Sequence, residues 1–233
     1  MSGPVVWLAS YPKSGNTWLR ILLESYLGSW HSGLDLNELN SVRLASSLEM
    51  FERLCGLSAD DLSEDEIDYY RPEVYRLLAR QQPGPIWMKV HDAYRRNRDG
   101  APLFPGDVTA GVVYIVRHPC DVAPSLAAHA GCDLDEAIRR MCSNTHTLSE
   151  RGSEQRDQLP QRLLSWSGHV ESWLDTSGLP TAVVRYEDLH HDTGRELRRV
   201  LEAVRIPIDE ARVSAAVGAS RFDRLQQLEA SQG

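Results

Sequence analysis

The chain has 233 residues, 42% hydrophobic and 25% charged, with a formal net charge of -8. Those proportions suit one soluble globular domain with a sizeable core and leave little room for extensive disorder. The acidic balance excludes a nucleic-acid coat or a cationic membrane binder, since either needs a basic face, so an anionic ligand would require locally placed cations.

Val5 to Ala9 is a short Val-rich apolar run. Polar Ser10 to Gly15 follow, then a helical pattern with Leu19, Leu22, Leu23, Tyr26 and Leu27 on one side, so strand, turn and helix are expected. Asp60 to Arg80 reads as an acidic amphipathic helix. Ile86 to Val90 and Gly111 to Val116 read as buried strands. Asp133 to Glu150 and Gln161 to Asp175, the latter carrying Trp166 and Trp173, read as helices, and Thr181 to Arg185 as a fourth strand. The polar stretch between Glu150 and Pro160 reads as an exposed loop. Strands alternating with helices predict an α/β fold, one domain over residues 1–233 with a central parallel sheet flanked by helices. Ligands of such sheets bind beyond the carboxyl ends of the strands, which is where chemistry is to be sought.

The four cysteines, Cys55, Cys120, Cys132 and Cys142, form no C-x-x-C pair, and reduced thiols in a cytoplasm are expected. No run approaches the roughly 18 apolar residues of a membrane span, and no basic region precedes an apolar stretch and cleavage site at the N-terminus. Neither membrane nor nucleic acid is expected as a partner.

After the first strand, Tyr11-Pro12-Lys13-Ser14-Gly15-Asn16-Thr17-Trp18 gathers a lysine, a glycine, hydroxyls and a helix start. Backbone N–H groups and the helix dipole favour an anion there, and Gly15 permits close backbone approach. The lysine precedes the glycine and the first glycine of G-x-x-x-x-G-K-[ST] is missing, which disfavours an ordinary ATPase loop. A merely capped helix explains the loop alone equally well.

The second strand ends Lys89-Val90-His91. The i, i+2 spacing places a cation and an imidazole on one face, and a neutral His can take a proton from an attacking hydroxyl. His118, His129, His146, His190 and His191 are expected to be structural, and His190-His191 lacks spaced partners for a metal site. The third strand runs into Arg117-His118-Pro119-Cys120-Asp121, with Ser125 beyond. Pro119 suits the first position of a helix, and Arg117 and Ser125 could hold a phosphate. An Arg117–Asp121 ion pair with a solvated serine is the plainer alternative.

In combination and order these segments resemble the sulfotransferases that use 3′-phosphoadenosine 5′-phosphosulfate (PAPS), especially the soluble small-molecule enzymes and their bacterial relatives. SYPKSGNTW resembles the family's 5′-phosphosulfate loop, MKVH its catalytic segment, VVYIVRHPCDVAPS its 3′-phosphate segment and VVRYEDL the later strand near the adenine. ASYPKSGNTWLR is similar to enzymes that sulfate glycopeptide-type natural products.

The resemblance implies a P-loop-kinase-like fold and PAPS as co-substrate without a metal. It implies that Lys13, Ser14, Gly15, Asn16 and Thr17 hold the 5′-phosphosulfate and that Trp18 and Tyr186 lie by the adenine. Arg117 and Ser125 would bind the 3′-phosphate, Lys89 the sulfuryl oxygens, and His91 would be the base. Core packing explains Trp18 and Tyr186 equally well.

A small-molecule or natural-product hydroxyl is the expected acceptor, bound by loops in the Trp30 to Arg71 and Arg151 to Pro160 stretches, and a homodimer stays open. The family's basic, glycine-containing segment has no counterpart after Arg224, in the stretch following Ser220, Phe222 and Leu225, so a missing C-terminal lid is expected. A nucleotide or small-molecule kinase and a non-catalytic phosphoadenosine-nucleotide-binding module are the alternatives. Lys13 and His91 together favour an enzyme.

Overall fold

The computed structural model describes residues 3–28, 41–82, 84–149 and 157–220. Strand β1 (Val5–Ser10) is buried along its whole length because both its faces are covered. Val5, Trp7 and Ala9 enter a core with Met88, Tyr114 and Trp173, while Val6 and Leu8 enter another with Leu19, Leu22, Val113 and Leu201. A strand covered on both faces reads as the continuous apolar run seen in the sequence.

Around β1 lie β2 (Val42–Leu44), β3 (Ile86–Val90), β4 (Thr109–Val116) and β7 (Thr181–Arg185), in the order β2-β3-β1-β4-β7. Every pair in this sheet is parallel. A short antiparallel pair, β5 (Thr147–Leu148) and β6 (Gln161–Arg162), stands apart. The four expected strands are all present, and β2 is an addition. From β1 the chain passes to β2 and β3 on one side and then to β4 and β7 on the other. The crevice beyond the end of β1 is therefore the switch point where α/β sheets bind ligands.

Helix α1 (Asn16–Leu27) opens directly after the loop at the end of β1. Its inner side is apolar except for a polar stripe, Asn16, Arg20 and Glu24, at successive turns. Glu24 is fully buried and accepts hydrogen bonds from the backbone of Ser41 and Val42, at 2.6 and 3.1 Å, while Arg20 Nη2 donates to Val42 O at 3.4 Å. Helix α1 thereby fastens edge strand β2.

Three helical expectations are corrected in extent. The expected Asp60–Arg80 helix begins later, as α3 (Glu64–Gln81) after a 3-10 turn at Ala59–Asp61, because Ser63 and Glu66 close a capping box. It follows α2 (Leu48–Cys55).

The Asp133–Glu150 helix stops early, as α5 (Leu134–Cys142), where Ser143 turns extended and its hydroxyl binds Thr145 N. Residue 150 lies outside the described residues.

The Gln161–Asp175 helix starts instead as β6. Leu164 takes a left-handed φ of 62°. Ser165 then caps α6 (Trp166–Glu171), which widens into a π-helical turn at Ser172–Thr176.

Helix α4 (Pro119–Ala130) carries Pro119 in its first turn as expected. Helices α7 (Tyr186–His191), α8 (Thr193–Ala203) and α9 (Glu210–Ala219) complete the described chain.

Candidate active site

The ends of β1, β3 and β4 meet at the switch point, and each delivers part of one site. After β1, Lys13 has φ 66° and Gly15 φ 99°, a left-handed pair that turns the chain from strand to helix. A Cβ on Gly15 would stand 2.6 Å from the ring of Tyr186, so the glycine is required by space as well as by φ. Gly15 caps α1 without any side-chain hydrogen bond. The Asn16 amide faces the other way, donating to Leu8 O at 3.0 Å and Ser10 Oγ at 3.2 Å, so it braces the loop against β1. Ser14 Oγ is buried and has no hydrogen-bond partner among the described residues.

Strand β3 contributes Lys89 and the residue after its end, His91. Burial, followed by the charges of Arg20 and Lys13, pushes the Lys89 ammonium down to about 8. Three cations thus face one another in a chain with net charge -8. Like charges held together favour an anion between them.

His91 Nδ1 lies 2.8 Å from Ser10 O and 3.4 Å from Ser10 Oγ. A carbonyl only accepts, so Nδ1 carries the proton and Nε2 keeps its lone pair. Burial, then the charge of Lys89, holds the imidazole well below its ordinary value, so it is neutral at pH 7.

Beyond β4, Arg117 Nη1 donates to Lys13 O at 3.3 Å, and its guanidinium lies 4.3 Å from the centre of the Tyr186 ring. Arg117 Nε is buried without a partner among the described residues. Tyr186 at the start of α7 therefore ties the loop at Gly15 to Arg117. Trp18 is 7% exposed, meets Tyr186 and His190 edge-on at 5.8 and 5.7 Å, and donates from Nε1 to Ser220 O at 2.9 Å.

The structure links Lys13, Gly15, Trp18, Arg117 and Tyr186 through direct contacts, and places Lys89 and His91 at the end of the neighbouring strand β3. Ser125 is half-buried on α4 and Thr17 is exposed in the first turn of α1. No Arg117–Asp121 ion pair occurs among the described residues. His118 caps α4, accepting from Cys120 N at 3.3 Å, which gives it the structural role expected. Arg20 was missed by sequence reasoning; its signal was the polar stripe Asn16, Arg20, Glu24 on an otherwise apolar helix face.

Much of the expected acceptor loops, at 29–40 and 150–156, lies outside the described residues. So do Phe222, Arg224 and Leu225 with the expected lid region. Among the described residues no three His, Cys, Asp or Glu side chains gather as a metal site, and no helix is long and apolar enough to cross a membrane.

The sequence comparison finds the sulfotransferase domain over residues 4–233. The chain belongs to the sulfotransferase family. It is 24% identical over 216 residues to a WSCD family member from Drosophila pseudoobscura pseudoobscura, covering 90% of this chain and 53% of that protein. The chain thus spans about half the length of this curated relative.

Among solved structures, mouse sulfotransferase SULT7A1 complexed with PAP has a TM-score of 0.57 at 18% identity, covering 94% of this chain and 64% of that one. Retinol dehydratase with androsterone and the inactive cofactor PAP has a TM-score of 0.56 at 18% identity, covering 97% and 66%. The sulfotransferase domain of the Synechococcus PCC 7002 olefin synthase has 0.51 at 19% identity, covering 96% and 81%. These likenesses establish the fold of the sulfotransferase family for this chain.

Proposed function

We propose that this chain transfers a sulfuryl group from PAPS to a hydroxyl of a small-molecule or natural-product acceptor, with His91 as general base. The observation that carries the reading is the bond from His91 Nδ1–H to Ser10 O, which leaves Nε2 with its lone pair on a ring that feels the charges of Lys89 and Arg20. When bound, PAPS supplies a sulfuryl group attached to a stable leaving group, adenosine 3′,5′-bisphosphate (PAP).

The residues fit that nucleotide. Ser14 Oγ and Arg117 Nε are buried polar atoms with no hydrogen-bond partner among the described residues, close in the chain's fold to cations that are costly to hold together. Lys13, Ser14 and the backbone N–H groups of Gly15, Asn16 and Thr17 would hold the 5′ end. Arg117, with Ser125, would hold the 3′-phosphate. The half-buried Tyr186 offers the larger ring surface to adenine, since Trp18 is mostly enclosed.

His91 Nε2 takes the proton of the acceptor hydroxyl as its oxygen bonds to sulfur and the sulfur–oxygen bond to the 5′-phosphate breaks. Lys13, Lys89 and Arg20 supply positive charge where oxygen charge develops, already in place before the acceptor arrives. The PAP-bound neighbours and the androsterone held by one of them support a nucleotide donor and a small acceptor. The four free cysteines suit the cytoplasm.

The test is thermal stabilisation by PAP against adenosine 5′-monophosphate, together with product analysis by mass spectrometry over hydroxylated compounds with PAPS and with ATP as donors. PAP should stabilise more, and only PAPS should give a modified product. Equal stabilisation by the two nucleotides, or phosphorylated product from ATP, would overturn the reading.

A further inference from the structure

His169 on α6 is fully buried, and no step described above uses it. Its Nε2 lies 3.0 Å from the carbonyl oxygen of His91, 78 residues away. A carbonyl only accepts, so Nε2 carries the proton. Its Nδ1 lies 2.7 Å from the Tyr114 hydroxyl on β4. Burial pushes the His169 imidazole down to about 4, so the ring is neutral and Nδ1 accepts from Tyr114. The bonds run one way, from Tyr114 O–H to His169 and from His169 N–H to the peptide of His91. The rings of Tyr11 and Tyr114, 5.6 and 5.7 Å away between centres, hold the imidazole in place.

The same helical face grips the residues that follow. Ser172 Oγ accepts from Tyr94 N at 3.0 Å and donates to His169 O at 2.7 Å. Trp173 Nε1 donates to Asp92 O at 3.0 Å. His169, Ser172 and Trp173 sit at i, i+3 and i+4 where α6 widens into its π-helical turn, a feature frequent at functional sites. From the opposite side Arg71 holds the Asp92 carboxylate in a two-pronged pair, at 3.2 and 2.7 Å. His91 lies just beyond the end of β3, where the sheet ladder no longer fixes the chain. Side chains of α6 and its π turn take over that task.

We propose that His169 is a positioning residue for His91. By binding the His91 carbonyl, it holds the catalytic imidazole where Nδ1–H meets Ser10 O and Nε2 stays bare for the acceptor's proton. The Tyr114 hydroxyl engages the other nitrogen of His169, Nδ1, and so reinforces the tautomer that the His91 carbonyl selects. A purely apolar residue at 169 would leave the Tyr114 hydroxyl and the His91 carbonyl short of a partner in the interior. The inference deepens the reading of His91 as base and rests on it.

The test uses protein labelled with 15N at histidine and saturated with PAP, with long-range proton–nitrogen correlation spectra reporting each ring's tautomer. In the parent protein His91 should appear as the neutral Nδ1–H form and His169 as the neutral Nε2–H form. In His169→Phe the His91 signals should spread over both tautomers. With an acceptor found in the product screen, kcat should fall about 10- to 100-fold, the cost of a small misplacement, while KM for PAPS stays within about twofold. His169→Gln, which keeps an N–H donor, should recover part of the loss. A single Nδ1–H form of His91 and parental kcat in His169→Phe would overturn the inference.

Should His169→Phe fail to fold, Tyr114→Phe keeps the ring and removes only the hydroxyl. With Nδ1 stripped of its donor the His169 ring is held less firmly, so the His91 signals should spread toward both tautomers and kcat should fall, and parental spectra and kcat would overturn the inference. His91→Ala is measured alongside. Parental turnover in that variant overturns the base reading and this inference together, whereas an inactive His91→Ala beside an unaffected His169→Phe overturns the positioning role alone.

Discussion

Lys89 offers the sharpest perturbation, because burial, and after it the same cations that would share an anion with it, depress its charge. With the free ammonium near 8, the protonated fraction falls from about nine-tenths at pH 7 to about one-tenth at pH 9. A bound PAP phosphate beside it restores the proton, so binding draws protons from solution above neutrality. The dissociation constant should then rise about tenfold between pH 7 and pH 9, with uptake of about half a proton on binding at pH 8.

The phosphates of PAP have their second ionisation near about 6 and stay charged through this range. His91, held well below its ordinary value, is silent there too. Titration calorimetry in buffers of different ionisation enthalpy reads both quantities, and Lys89→Met should give a flat profile. A flat profile in the parent protein, or the same slope in Lys89→Met, would show that Lys89 takes up no proton on binding. For folding, the sign is opposite. The folded value lies below the unfolded value of about 10.4, so the unfolded chain holds more protons between about 8 and 10.4. The stability owed to Lys89 therefore rises with pH through that window.

Other perturbations separate the parts of the site. Arg117→Met should bring the thermal shift caused by PAP down to that of adenosine 5′-monophosphate, whose own shift should change little; an unchanged difference would remove the 3′-phosphate role of Arg117. Gly15→Ala forces a left-handed φ on a residue with a Cβ, at about 1–2 kcal/mol, and drives it into Tyr186. Its melting temperature and PAP affinity should both fall, and parental values would refute the close approach. Arg71→Leu removes the two-pronged partner of the buried Asp92 carboxylate and leaves it only the 3.6 Å ion pair with Arg95, so urea unfolding should show a loss of about 3 kcal/mol. A loss under about 1 kcal/mol would show that the pair is dispensable.

The sheet was legible because strands buried on both faces leave continuous apolar runs, as Val5 to Ala9 does. The positions of the Tyr11–Trp18 loop and of the Lys89–His91 pair at strand ends were legible because each is contiguous in sequence. Strand β2 was not, since its three residues are held by Glu24 of a distant helix rather than by any pattern of their own. Helix ends at Cys142 and Trp166 were missed because side-chain bonds from Ser143 and Ser165 outweigh the apolar periodicity. Arg20 was overshadowed by the lysine of the loop. His169 carries no local signal at all, because its meaning comes from a peptide 78 residues away.

Sulfuryl transfer with His91 as base is put to the test by the turnover of PAPS in His91→Ala. Sulfated product is counted by mass spectrometry against the parent protein, with PAP affinity measured on the same samples. Turnover should fall about a hundred- to ten-thousand-fold with PAP affinity nearly intact. Near-parental turnover in His91→Ala would contradict the role of His91 as base.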